Sequence, residues 1–295
     1  MFRLDRFLTL YFFHPLGRLG SKKDDLQIPI LMYHSISERD DKVRHPYYRT
    51  NTRPEIFSQH MKYLAEKNYK VISISEAIAL TTDDITINQT PISSRRHSVA
   101  EQTRYAVITF DDGFSDFYKN AYPVLNDLNF NATVFLPTGF VSQERKRFKG
   151  RECLTWEEVK TLSNRGIQFG SHTVYHHQLY VLDREKIEIE LKQSKEDIEQ
   201  NIGQKIDIFS YPYAFPEQNT EFVIYMRKLL QRIGYSIGVT TRIGTISKSS
   251  DRYFLNRLPV NSYDDRELFA AKLQGAYNWL HAPQYYLKKI KALGV

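Results

Sequence analysis

Hydrophobic positions along this chain fall into two recurring patterns. Short unbroken apolar runs predict buried strands at Pro29 to Tyr33, Val71 to Ile74, Tyr105 to Phe110, Ala132 to Leu136, Ile167 to Gly170, Ile206 to Tyr211, Tyr235 to Val239 and Asn256 to Val260. Between them run stripes with apolar residues three or four apart, which predict helices over Arg53 to Asn68, Ile74 to Leu80, Phe117 to Leu128, Trp156 to Asn164, Arg184 to Asn201, Glu221 to Arg232 and Arg266 to Trp279, with a helical tail from Pro283 to Lys291. The helix after Asp183 is the best punctuated. Asp183 can cap it, Ile187, Leu191 and Ile198 share one face, and Gly203 ends it. Pro123 falls inside Phe117 to Leu128 and marks an alternative start there. Thr81 to Gln102 is polar and rich in Ser and Thr. Strand–helix alternation resumes after it, so it reads as a surface insertion rather than a domain linker. Repeated β–α alternation with short connections predicts a parallel sheet covered by helices and closed, or nearly closed, into a barrel.

Reactive groups of such barrels gather at the C-terminal ends of the strands. His34, Asp111, His172 and Tyr213 each fall just after a predicted strand. The run ITFDDGF, Ile108 to Phe114, ends an apolar strand in two adjacent carboxylates, Asp111 and Asp112, which strands disfavour. Further on, GSHTVYHH holds His172 and His176 four residues apart, so one helical turn would aim both imidazoles the same way. Two histidines and a carboxylate form a metal-ligand set. Taken singly, DDG is a common turn and an HxxxH pair arises by chance among nine histidines; their joint setting is what points to a site. His177 is the alternative to His176.

The 295 residues suffice for one large α/β domain, with 41% apolar and 25% charged residues as in ordinary globular proteins. The formal charge of +7 is spread along the chain. It argues for simple solubility, and with no recognisable motif, nucleic acid is not an expected partner. Cys153 is the sole cysteine, so no intrachain disulfide forms. Residues 1–26 read as a basic, amphipathic extension and 27–295 as the domain. Phe7 to Phe13 is too short to span a bilayer and lacks the features of an export signal. Two readings of it stay open, a helix packed on the domain and a segment lying on a membrane surface. The expected location is cytoplasmic, at or near the inner membrane face.

TFDDG (Thr109 to Gly113), SHTVYH (Ser171 to His176) and SYPYA (Ser210 to Ala214) resemble the first three motifs of polysaccharide deacetylases with a NodB homology domain, carbohydrate esterase family 4. LTWEEVKTL (Leu154 to Leu162) fits the same context, and PILMYHSI (Pro29 to Ile36) resembles the circularly permuted members, which include poly-β-1,6-N-acetylglucosamine deacetylases. The resemblance spans Ile28 to Tyr263. It implies a distorted (β/α)7-type barrel of parallel strands and a metal-dependent hydrolase that removes acetyl groups from N-acetylated amino sugars of a polysaccharide or its precursor.

The resemblance also implies roles. Asp112, His172 and His176 would hold a divalent metal; the donor set suits zinc, with nickel, cobalt and manganese compatible. Asp111 would be the general base, His34 the general acid supplied by the first strand, and the backbone N–H of Tyr213 an oxyanion donor. The family often carries an arginine where this chain has Ser210, and Arg257 is the candidate replacement. Ala214 stands where a glycine is usual, and His281 is a poor match to the usual C-terminal histidine motif, which favours His34. Two rival functions remain: an O-acetyl esterase or other amide hydrolase on this scaffold, and an inactive glycan-binding component of exopolysaccharide assembly.

Overall fold

The computed structural model describes residues 3–16, 26–39, 45–81 and 103–292. The predicted insertion near 81–102 lies almost wholly outside the described residues. Its strands are β1 (Ile30–Tyr33), β2 (Tyr69–Val71), β3 (Arg104–Phe110), β4 (Thr133–Leu136), β5 (Gln168–Ser171), β6 (Ile208–Ser210), β7 (Ile237–Ile243) and β8 (Leu255–Pro259). Seven of them close into a parallel barrel in the order β1-β8-β7-β6-β5-β4-β3, and β3 returns to β1 through the pairs Ile30↔Val107 to Tyr33↔Phe110. The short β2 stays outside the ring, on the N-terminal half of β3, where Tyr69↔Arg104 to Val71↔Ala106 are paired.

The helices are α1 (Leu4–Leu8), α2 (Pro54–Glu66), α3 (Ile74–Thr81), α4 (Tyr122–Asp127), α5 (Trp156–Ser163), α6 (Arg184–Ile202), α7 (Thr220–Ile233), α8 (Arg266–Leu273) and α9 (His281–Ala292). Local signals mark the helix ends, among them the expected Asp183 and Gly203. Thr155 and Glu158 form a capping box on α5, Asp183 caps α6, and Gly203 and Gly234 end α6 and α7 in left-handed conformations. Two expected helices are divided. Phe117 to Ala121 is a wide π turn, and α4 follows with Pro123 in its first turn. The helix expected from Arg266 to Trp279 stops at Leu273, because Gly275 turns the chain at φ +75° before a 3-10 turn over Asn278–Leu280.

Strand parity sorts the core. Leu31, Tyr33, Ile108, Phe110, Val134, Leu136 and Phe209 face the helices in one large apolar cluster. Ile30, Val107, Phe135, Ile208, Val239 and Leu255 alternate with them and fill the barrel, joined by Ile74, Ala77 and Ile78 of α3. The same inward parity carries Asp111 beyond β3, Ser210 at the end of β6 and Arg257 in β8 toward one point.

Inside, β5 must present a residue without a side chain. A Cβ on Gly170 would meet the Phe135 ring at 2.6 Å and the Ile208 carbonyl at 2.9 Å. Gly170→Ala is expected to lower stability by about 1–3 kcal/mol through overpacking, read as a lower urea midpoint; an unchanged midpoint would contradict this packing.

Candidate active site

Asp111 is the buried end of β3. Arg257 grips it with two parallel hydrogen bonds, Nη1 to Oδ1 and Nη2 to Oδ2, both 2.7 Å. The guanidinium is wholly buried and its remaining donors are used: Nε donates to the Thr240 carbonyl at 2.9 Å, Nη2 to Ser210 Oγ at 3.0 Å and Nη1 to Thr109 Oγ1 at 3.3 Å. Ser210, standing where the resembled family often has arginine, thus becomes a ligand of Arg257. Burial alone would raise the Asp111 pKa, but Arg257 and His172 more than offset it and hold the carboxyl at about 2.

Asp112 takes the next position with a left-handed backbone, φ +71°, which turns its side chain away from Asp111. Its Oδ1 lies 3.2 Å from His176 Nε2 and 3.7 Å from His172 Nε2. Ligand atoms of Asp112, His172 and His176 all lie within 4.8 Å of one another, and all three residues are buried. Burial opposes ionisation of Asp112, yet the hydrogen bond with His176 and the charges of His34 and Lys149 hold it well below the usual carboxylate range.

The histidine pair does not sit on a helical turn. From His172 to Gln178 the chain is irregular, with Thr173 and His176 at φ +67° and +56°. The loop's amides are held from below: Val174 and Tyr175 N–H donate to Glu190 Oε2 at 2.8 and 2.9 Å, and His176 N–H donates to Thr173 Oγ1 at 2.9 Å. His177 turns away to Glu190 Oε1 at 2.9 Å, so His176 is the ring that faces Asp112. His172 Nδ1 donates to the Ser210 carbonyl at 2.8 Å, which fixes the tautomer and leaves Nε2 with its lone pair toward Asp112. Burial is the main reason the His172 pKa is pushed down to about 3, with Asp111 and Asp112 pulling the other way. A neutral imidazole with a fixed tautomer is the form that binds a metal, so the donor set fits a divalent cation.

His34 is half-buried just past β1. Burial lowers its pKa, while the neighbouring charges of Asp112 and Asp111 oppose that shift. Tyr213 has φ +58°, its ring packs on His176 at 4.7 Å, and its backbone N–H meets no acceptor among the described residues. All seven predicted site residues therefore gather at the C-terminal mouth of the barrel. His281 does not join them and pairs with Glu217 at 2.8 Å.

Three further residues matter that sequence reasoning missed. Lys149, on a turn between Arg147–Phe148 and Arg151–Glu152, reaches Asp112 Oδ2 at 3.1 Å and lies over the Phe148 ring. Asp116 ties the Asp-Asp-Gly loop to the His34 loop, accepting from Ile36 N–H at 3.0 Å and Ser35 Oγ at 2.5 Å. Glu190 holds the histidine loop. Its signal was a carboxylate on the inward face of α6, beside Ile187, Leu191 and Ser194. Lys149 and Asp116 carried no periodic signal at all.

The Asp111 shift fixes a pH dependence. Its folded pKa lies below the unfolded value of 3.8, so its contribution is fully present above about pH 4 and is lost as pH falls toward 2; it amounts to roughly 2 kcal/mol. Arg257→Met would leave a buried carboxylate without its cation, costing about 3–5 kcal/mol near neutral pH and less in acid. Urea midpoints of the two proteins should therefore converge as the pH is lowered; parallel midpoints would contradict the clamp.

Residues 98–237 match the family model for polysaccharide deacetylase. YxkH of Bacillus subtilis (strain 168), named for the same family, is 30% identical over 248 residues, 84% of this chain and 76% of that one. The poly-beta-1,6-N-acetyl-D-glucosamine N-deacetylase of Staphylococcus aureus (strain MRSA252) is 25% identical over 163 residues, and the match covers 52% of this chain and 53% of that one. Among solved structures, the Streptococcus pyogenes deacetylase PplD, in complex with acetate, superposes with a TM-score of 0.65 at 25% identity, covering 84% of this chain and 99% of that one. IcaB from Ammonifex degensii shares the fold at 20% identity, with a TM-score of 0.62 over 84% of this chain and 97% of that one. With its barrel, its motifs and these relatives in agreement, the chain belongs to the polysaccharide deacetylase family, hydrolases that cleave N-acetyl amide bonds.

Proposed function

We propose that this chain is a metal-dependent N-deacetylase acting on N-acetylated amino sugars of a polysaccharide or its precursor. The observation that carries the reading is the division of labour between adjacent carboxylates: Asp112 faces two imidazoles, and Asp111 faces a buried guanidinium. Asp112, His172 and His176 would hold the cation. When bound, a divalent metal such as zinc supplies Lewis acidity toward the acetyl carbonyl and lowers the pKa of a water.

Asp111 is kept ionised and aimed by Arg257, and accepts the proton of the attacking water. His34, beside Asp111 at the end of the neighbouring strand β1, donates the proton to the departing amine. The N–H of Tyr213 donates to the oxygen that gains charge. The rings of Phe148 and Tyr213 border His176 and offer apolar faces to a sugar. Lys149 adds a cation at the same edge. The inactive glycan-binding alternative draws its force from Ser210; Arg257 supplies the cation that Ser210 does not, which favours turnover. The S. aureus relative, named for deacetylation of a β-1,6-linked N-acetylglucosamine polymer, makes such polymers the first substrates to try.

Acetate release from N-acetylglucosamine oligomers and from O-acetylated sugars, after metal removal and reconstitution, tests the reading. Release from the N-acetyl substrates alone is expected. Release only from O-acetyl sugars would make this an esterase, and none with zinc, cobalt, nickel or manganese would sink the enzymatic reading. Asp111→Asn should lose ~100-fold or more in turnover with metal content retained; wild-type rate would remove Asp111 from the base role. His172→Ala should lose the metal itself, measured as bound metal per chain.

A further inference from the structure

The aim of His34 is set by its backbone. Among the described residues its imidazole takes no hydrogen bond, so its direction follows from how the chain is held on either side. Before it, the Tyr33 carbonyl accepts from Asp111 N–H at 3.0 Å. After it, Asp116 binds both of the next two residues. Its Oδ1 accepts from Ile36 N–H at 3.0 Å and its Oδ2 from Ser35 Oγ at 2.5 Å. Asn120, in the π turn that follows Asp116, donates from Nδ2 to the Ile36 carbonyl at 2.6 Å.

These contacts are enclosed. Ser35 is wholly buried, its hydroxyl also lies 3.0 Å from Asn51 Oδ1 and 3.1 Å from Ser37 Oγ, and Ser35–Ile36 pairs in parallel with Asn51–Thr52. Asp116 itself belongs to the loop that carries Asp111 and Asp112, which leaves β3 beside the end of β1. One carboxylate thus locks the loop after His34 to the loop of the base and the metal ligand. It has two acceptor oxygens, and each takes a different donor of the same dipeptide.

We propose that Asp116 is the positioning residue for His34: by gripping Ser35 and Ile36 it fixes the imidazole relative to Asp111 and Asp112. The inference rests on the deacetylase reading, in which His34 protonates the departing amine. Asp116 touches neither the metal ligands nor His34 through any hydrogen bond among the described residues, so it acts only through the backbone it holds. A displacement of about 1 Å at a reacting group can cost ~100-fold in rate, which is the scale available to such a residue.

The test compares turnover of an N-acetylglucosamine oligomer by the wild-type chain, Asp116→Ala, His34→Ala and the double variant. Asp116→Ala should lose ~10- to 100-fold in kcat, with KM and bound metal per chain unchanged. In the His34→Ala background the same substitution should cost less than ~3-fold, because the group it positions is gone. Asp116→Asn keeps an acceptor for Ile36 N–H and gains a donor toward Ser35 Oγ, so it should recover most of the rate. With 4-nitrophenyl acetate, whose leaving group needs no proton, Asp116→Ala should match the wild type. Equal losses in the two backgrounds overturn the proposal. So does a loss of bound metal in Asp116→Ala, which would make Asp116 a support of the whole Asp-Asp-Gly loop. If Asp116→Ala does not fold, Ser35→Ala removes one of the two contacts and carries the same cycle. A wild-type chain that releases no acetate defeats the deacetylase reading and this inference with it; an active chain with additive losses defeats the inference alone.

Discussion

The buried pair of Arg257 and Asp111 is the interaction on which the rest of the mouth depends. Removing two charges from water costs several kcal/mol per ion, and their mutual attraction repays this only with good geometry and full hydrogen bonding. Both conditions hold. The guanidinium is bidentate on the carboxylate, and it is also bonded to Thr240, Ser210 and Thr109. One side chain of β8 therefore cross-links the ends of β3, β6 and β7 inside the barrel. With Asp111 held this way, Asp112 must leave β3 in the opposite sense, and its left-handed backbone delivers the carboxylate to the histidines.

Backbone strain follows the chemistry. Asp112, Thr173, His176 and Tyr213 all have positive φ, a conformation non-glycine residues adopt at some cost. Each is over-determined by its surroundings. Glu190 binds two amides of the histidine loop, Ser210 binds the His172 ring through its carbonyl, and Thr241 Oγ1 donates to the Tyr213 carbonyl at 2.9 Å. The cost is met by hydrogen bonds from neighbouring elements, so the site is set by the barrel rather than by the loops' own preferences.

Much of this was legible in the sequence because it is local. Apolar runs and stripes located the barrel strands and most helices, and the cap Asp183 and the stop Gly203 fell where expected. The seven residues singled out by motif and strand end converge on one mouth, including Arg257, whose case rested on a missing family arginine. His172 and His176 do come together beside Asp112, but not through the expected one-turn spacing: a loop, not a helix, brings the rings together. Lys149, Asp116 and Glu190 were missed because each acts on a segment far away in the chain.

The sequence by itself determined most of the elements, their apolar faces and the set of candidate site residues, since hydrophobic period, capping and motif spacing depend only on near neighbours. The tertiary structure decided pairings and directions. Barrel closure set Arg257 against Asp111, and Glu190 chose His176 over His177 by taking the latter for itself. The first segment shows the difference most plainly. Its composition allowed either a packed helix or an apolar surface segment. Tyr277 and Trp279, contributed from the other end of the chain, take Asp5 and Thr9 inward and leave the apolar side chains facing out.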